Sequence, residues 1–143
     1  MEKNITFKLT EKNFANPNQM QALTLAYIGD SIYDIMSREY VMKNHLGKIN
    51  DLHKTVSTIV SARAQASFME NILNNGILTE QEENIYNRAK NQKNNSKAKN
   101  ASIMEYKLAT GLEAVFGYLY LEKNFERLEE MFNYIIKLYE EKQ

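Results

Sequence analysis

The chain has 143 residues, 43% apolar and 25% charged, a composition that fits one globular domain and excludes disorder. Having no cysteine, it can form no disulfide, thiolate metal site or cysteine nucleophile, and its one proline and five glycines argue against a turn-rich β-sandwich. Formal charge is zero, no signal-peptide pattern opens the chain, and no apolar run approaches the roughly 20 residues that cross a bilayer, so a cytoplasmic protein is expected.

Residues 1–16 read as an N-terminal extension, with Asn16 as the N-cap of a helix that has Pro17 in its first turn. Met20, Leu23, Tyr27, Ile28, Ile32, Ile35 and Met36 recur at helical spacing, which predicts one long helix to about Val41 with Gly29 inside it. A break over 44–47 follows, then a helix or turn over 52–56 preceded by Asn50 and Asp51. Ile59, Val60, Ala62, Ala66, Met69, Ile72 and Leu73 predict a helix over 57–74, stopped by Asn75 and Gly76. Thr79 followed three residues later by Glu82 is a capping-box pattern that opens a helix to about Lys90.

Residues 91–102, NQKNNSKAKNAS, are polar, basic and aperiodic. They read as a long solvated loop, the kind that is usually functional or disordered. The next helix, over 102–122, is apolar on nearly every face from Leu108 to Leu121 and should be central and buried. An amphipathic helix over 125–139 closes the chain. No strand or repeat is seen, so the reading is a single all-α domain over 1–143.

The zero net charge conceals an asymmetry. Between Ile85 and Lys107 stand Arg88, Lys90, Lys93, Lys97, Lys99 and Lys107 against one acid, Glu105, while Glu122, Glu126, Glu129, Glu130, Glu140 and Glu141 follow Leu121. Such local polarity matters more for partners than the sum. On composition alone, though, a basic loop is more often a solvated surface than an RNA clamp.

Two acids stand out. Asp30 directly follows Gly29 within the apolar stretch LTLAYIGDSIYDIM, and Glu113 is the one charged residue between Leu108 and Leu121. A carboxylate in apolar surroundings is costly unless paired. If the two helices cross near Gly29 and Gly111, both carboxylates converge, and a hard divalent cation such as Mg²⁺ would satisfy them. Such an ion lowers the pKa of a bound water and stabilises charge on phosphoryl oxygens, which beside a basic loop suggests attack on a phosphodiester. Other readings stand beside this one. Asp34, one turn on, allows Asp30 and Asp34 to be simply solvated, and a hydrogen bond to Tyr27 or Thr110 would account for Glu113. Tyr27, Tyr33, Tyr106, Tyr118 and Tyr120 fall at helical core positions and are read as packing residues. His45 and His53 are isolated and receive no catalytic role.

AYIGDSIYD resembles the signature helix of the ribonuclease III catalytic domain, ATGLEAVFGYLYLE (109–122) its second acidic motif, and NDLHKTVSTIVSARAQA (50–66) the segment between. More closely, the whole chain resembles Mini-ribonuclease III, the short bacterial branch of that family. RAKNQK (88–93) is close to the branch's Arg-Gly-Arg-Asn pattern, with Ala89 replacing Gly. Coverage runs from about Gln19 to Arg127. With Gln143 the last residue, the short form without the double-stranded-RNA-binding domain of the longer enzymes is expected. By this resemblance Asp30 and Glu113 are the catalytic, metal-binding pair. The larger family carries further acids where this chain has Ala26 and Thr110, so four carboxylates become two per subunit and one well-held Mg²⁺ is expected, with Mn²⁺ able to substitute. Asp34 and Thr110 are candidates for support behind the ligands.

The resemblance further implies an endoribonuclease that cuts double-stranded RNA, leaving 5′-phosphate and 3′-hydroxyl ends. Its substrate class is the base-paired stalk of precursor 23S ribosomal RNA, and presentation by a ribosomal protein stays open. Recognition should be mostly by shape and charge. Arg88, Lys90, Asn91, Lys93, Lys97 and Lys99 are the expected RNA contacts, with Lys54 and Arg63 as a further grip. A homodimer is implied, with Leu25, Ala26 and Ile28 expected to pack against the mate. The competing reading is a catalytically inactive RNA-binding or ribosome-assembly adaptor of the same fold.

Overall fold

A computed structural model describes residues 16–44, 47–92 and 102–143. A short 3-10 turn (Pro17–Gln19) leads into six helices: α1 (Ala22–Asn44), α2 (Ile49–Val60), α3 (Ala62–Asn74), α4 (Glu80–Lys90), α5 (Ile103–Leu121) and α6 (Phe125–Glu141). The described residues contain no strand, so the fold is all-α as expected.

Helix α5 is the axis, with α1, α3, α4 and α6 packed around it. Every residue from Leu108 to Leu119 is buried except Glu113. Leu112, Val115 and Phe116 are wholly inaccessible, each worth about 1.5–3 kcal/mol of apolar burial. Tyr33 of α1 lies edge-on to Phe116, ring centroids 5.2 Å apart, and donates its hydroxyl to the Ile59 carbonyl at 2.9 Å. The buried phenol is therefore satisfied, and α1 is tied to α2.

Local chemistry sets the helix ends. Thr79 with Glu82, and Ser102 with Glu105, form complete capping boxes at the starts of α4 and α5. Gly76 (φ +61°) ends α3 with its N–H on the Leu73 carbonyl and the Ile77 N–H on the Ile72 carbonyl. This is the paired bond pattern that a left-handed residue after a helix allows. Lys123 (φ +62°) does the same after α5, where sequence gives no glycine to announce it.

Three boundaries differ from the sequence expectation. Asn16 caps only the 3-10 turn, accepting from the Asn18 N–H, and α1 begins anew at Ala22 after an extended Met20. The helix expected over 57–74 is split at Ser61, an extended residue whose side chain accepts from the Ala64 N–H and starts α3. The apolar pattern runs through that break in helical phase, which hid it. In addition, α2 starts at Ile49, ahead of Asn50 and Asp51.

One buried ion pair fastens α6. Glu82 takes Arg127 Nε at 2.8 Å and Nη2 at 2.9 Å, while Arg127 also donates to the Ile77 carbonyl at 2.8 Å. Desolvation opposes the charge on Glu82, but the Arg127 and Thr79 hydrogen bonds outweigh it and hold its carboxyl below the ordinary range.

Candidate active site

Two glycines bring α1 and α5 into backbone contact. A Cβ on Gly29 would stand 1.7 Å from the Glu113 carbonyl oxygen, and one on Gly117 would stand 1.9 Å from the Leu25 carbonyl oxygen. Only residues without a side chain permit that approach. The expected crossing therefore exists, but Gly117 forms its second half. Gly111 instead faces the Tyr86 ring of α4.

The crossing places Asp30, next to Gly29, beside Glu113, close enough for their carboxyls to share a hydrogen bond. Asp30 is exposed and Glu113 half-buried, so the pair sits at the edge of the core. Burial first, then the negative charge of Asp30, pushes the Glu113 carboxyl up to about 8, against the opposing pull of a Gln65 N–H. A proton or a cation shared by the two carboxyls would offset that repulsion. Neither Tyr27 nor Thr110 bonds Glu113: Tyr27 is 80% exposed, and the Thr110 hydroxyl donates to the Tyr106 carbonyl at 2.9 Å. Asp34 pairs along α1 with Arg38 at 3.0 Å.

Sequence reasoning missed Gln65. Its Nε2 lies 3.3 Å from Glu113 Oε2 and 2.9 Å from the Val60 carbonyl, and its own Oε1 is buried without a partner. The available signal was a lone amide inside the apolar face of α3. The carboxylate oxygens of Asp30 and Glu113 are donors that suit a hard cation such as Mg²⁺ or Mn²⁺. No group of three or more acids or histidines converges among the described residues.

The basic residues are dispersed by comparison. Arg88 donates to the carbonyls of Asn18 (3.0 Å) and Met20, holding the segment before α1. The Lys90 ammonium lies over the Tyr86 ring, 5.7 Å from its centroid. Asn91 caps the C-terminus of α4. Lys54 is exposed on α2, and Arg63 is exposed on α3 with its Nε 3.8 Å from Glu105. Lys93, Lys97 and Lys99 lie outside the described residues.

The model of the ribonuclease III domain matches residues 23–124, which span both glycines and both acids. The chain belongs to the ribonuclease III family. It is 46% identical over 119 residues to a Mini-ribonuclease 3 of Enterococcus faecalis, covering 83% of this chain and 90% of that one. It is 48% identical over 124 residues to a Mini-ribonuclease 3 of Clostridium tetani, covering 86% and 81%. A crystal structure of a Fusobacterium nucleatum protein superposes with a TM-score of 0.75 at 35% identity, over 83% of this chain and 95% of that one. Family membership makes the chain an endoribonuclease of a divalent-metal-dependent family that acts on double-stranded RNA. No helix among the described residues is long and apolar enough to cross a membrane.

Proposed function

We propose that Asp30 and Glu113 are the catalytic carboxylates, that Mg²⁺ is the cofactor they hold, and that the natural substrate is the base-paired stalk of precursor 23S ribosomal RNA in the cytoplasm. The carrying observation is the contact of these two acids at a glycine-enforced crossing, with no ion pair to either from a basic side chain among the described residues. Glu113 and Asp30 supply the negative charge and oxygen donors, and Gln65 donates to Glu113 from behind. A divalent ion, when bound there, supplies an activated water and neutralises charge on the phosphoryl oxygens. Exposure of Asp30 leaves the pair open to an RNA backbone.

Pairing of two chains supports double-strand cleavage on this reading. Tyr27 (80% exposed), Ile35 (59%) and Met42 (62%) share one face of α1, beside Asp30 in the chain. Leu25 and Ala26 are already buried within the subunit, so they are not the surplus apolar surface. Tyr27, expected to pack internally, belongs to that surplus. Basic residues, chiefly Lys54, Arg63, Lys93, Lys97 and Lys99, would meet phosphates, with Arg88, Lys90 and Asn91 nearer the α4 end.

Incubating the purified protein with a long RNA duplex, with Mg²⁺ or with chelator, tests the reading. Cleavage in Mg²⁺ alone, giving 5′-phosphate ends, is expected. Duplex bound but uncut in Mg²⁺ would favour the adaptor reading. Sedimentation at micromolar concentration should show a dimer, and a monomer there would remove the pairing.

A further inference from the structure

Gln65 is 2% exposed among Ala66, Phe68 and Met69, a costly place for an amide. Both bonds it makes come from the same nitrogen: one to the Val60 carbonyl at 2.9 Å and one to Glu113 Oε2 at 3.3 Å. Val60 is the last residue of α2, where helix carbonyls lack partners of their own, so the amide is anchored on backbone. Flipping the amide would set its oxygen against two acceptors, so its neighbours fix its orientation. The remaining Oε1 is left buried and unpaired. A residue kept only to fill the core would do better as Leu or Met, and a buried unpaired polar atom calls for another reason.

We propose that Gln65 is a positioning residue of the acidic site: the end of α2 holds its amide, and the amide holds the Glu113 carboxylate for joint binding of a divalent cation with Asp30. This rests on the metal reading above. The amide would hold a flexible glutamate, on a stretch of α5 otherwise buried from Leu108 to Leu119, in one orientation toward Asp30. Partners one layer behind metal ligands commonly change affinity or activity by about 10–100-fold when removed.

The test uses Gln65→Met and Gln65→Leu in the full chain, with Glu113→Gln as reference. Affinity for Mn²⁺ alone is measured without RNA from the electron paramagnetic resonance signal of the free ion. Both variants should stay folded in chelator, the lost bond to the Val60 carbonyl offset in part by apolar burial, while Mn²⁺ affinity falls about 10–100-fold. With RNA duplex in saturating amount kcat should fall, with KM for RNA unchanged. If Glu113→Gln loses Mn²⁺ while either folded Gln65 variant binds it as wild type does, Gln65 is not a positioning residue and the metal reading survives. If Glu113→Gln also binds Mn²⁺ as wild type does, both readings fall. A lowered melting temperature in chelator with unchanged Mn²⁺ affinity would assign Gln65 to the core and overturn the proposal.

Discussion

The α1–α5 crossing and the end of α4 hold opposite charges under opposite constraints. At the crossing, Gly29 lies against the backbone of Glu113 and Gly117 against that of Leu25, so Asp30 and Glu113 are placed by main chain. At the end of α4, Arg88 reaches two carbonyls and Lys90 lies over a tyrosine ring, each through a long side chain with other rotamers available. The acids are positioned by the fold itself. The bases are positioned one by one, and a count of positive residues is not a count of RNA contacts.

The most disruptive way to break the first arrangement is Gly29→Ala. The new methyl would meet the Glu113 carbonyl oxygen and the Gly117 nitrogen, and backbone cannot swing aside as a side chain can. Overpacking a core usually destabilises by about 1–3 kcal/mol. Here two helices must separate, so a loss beyond about 3 kcal/mol is expected in urea unfolding. Gly76→Ala is the comparison: its left-handed φ makes alanine unfavourable by only about 1 kcal/mol, and no atom lies within 4 Å of the added carbon. Equal losses at the two glycines would deny the crossing its special role.

Asp30→Asn and Glu113→Gln leave the crossing intact and remove its charge. Cleavage of duplex RNA should fall by more than about 100-fold, since partners a layer behind metal ligands already account for 10–100-fold. Stability in chelator should hold or rise, because two acids in contact become one. Wild-type cleavage by either variant would sink the site assignment.

These contrasts show what was legible in the sequence. Asp30 and Glu113 drew notice because an acid within an apolar stretch is conspicuous, and the fold brings the two together. That α1 and α5 cross at a glycine on each was also foreseeable. Which glycine of α5 takes part was not, since Gly111 and Gly117 differ only in the helix each one faces. Gln65 escaped because an uncharged amide breaks no rule of composition, and its meaning comes from Val60 and Glu113 across two element boundaries. Ser61 escaped because the apolar period keeps phase through it. The structural share of Arg88 was hidden because sequence cannot show the Asn18 and Met20 carbonyls within its reach.

The raised Glu113 carboxyl makes a pH prediction with a definite sign. Between the ordinary carboxylate value near about 4.3 and about 8, the folded state holds a proton that the unfolded chain has released. The native state binds more protons in that window, so stability falls as pH rises through it. Its contribution is complete below the window and gone above it. Metal-free protein should therefore melt progressively lower from about pH 5 to about pH 8 on this account, and Glu113→Gln should flatten the trend. Divalent cation should restore stability most at the upper end and release protons near neutrality. Calorimetry in buffers of different ionisation enthalpy reads that release, and no release would mean that Glu113 is not the ligand.

At the basic end, Arg88→Met and Lys90→Met separate holding from reaching. Arg88→Met leaves the Asn18 and Met20 carbonyls without their charged donor and should lower stability by about 1–3 kcal/mol. Lys90→Met removes one contact over Tyr86, worth about 0.5–1 kcal/mol. If both changes prove equal, Arg88 is no more structural than its neighbour.

The smallest effect on the fold is expected from Lys93, Lys97 and Lys99, which stand in an aperiodic polar stretch of the sequence. Changing all three to Ala should move stability by no more than about 0.5 kcal/mol. If they neutralise phosphates, each releases counterions on binding, and log affinity falls with log salt by roughly 0.9 per contact, the duplex DNA value taken as a guide. The triple variant should then show a salt slope flatter by about two to three per subunit. The carboxylates are untouched, so saturating RNA should be cut at nearly the normal rate while dilute RNA is cut poorly. An unchanged slope would move the RNA grip to Lys54 and Arg63, exposed on α2 and α3, the latter two residues before the glutamine that bonds Glu113. In that case acids and bases would both be placed by the helices, and the contrast between the two regions would shrink to Arg88 and Lys90.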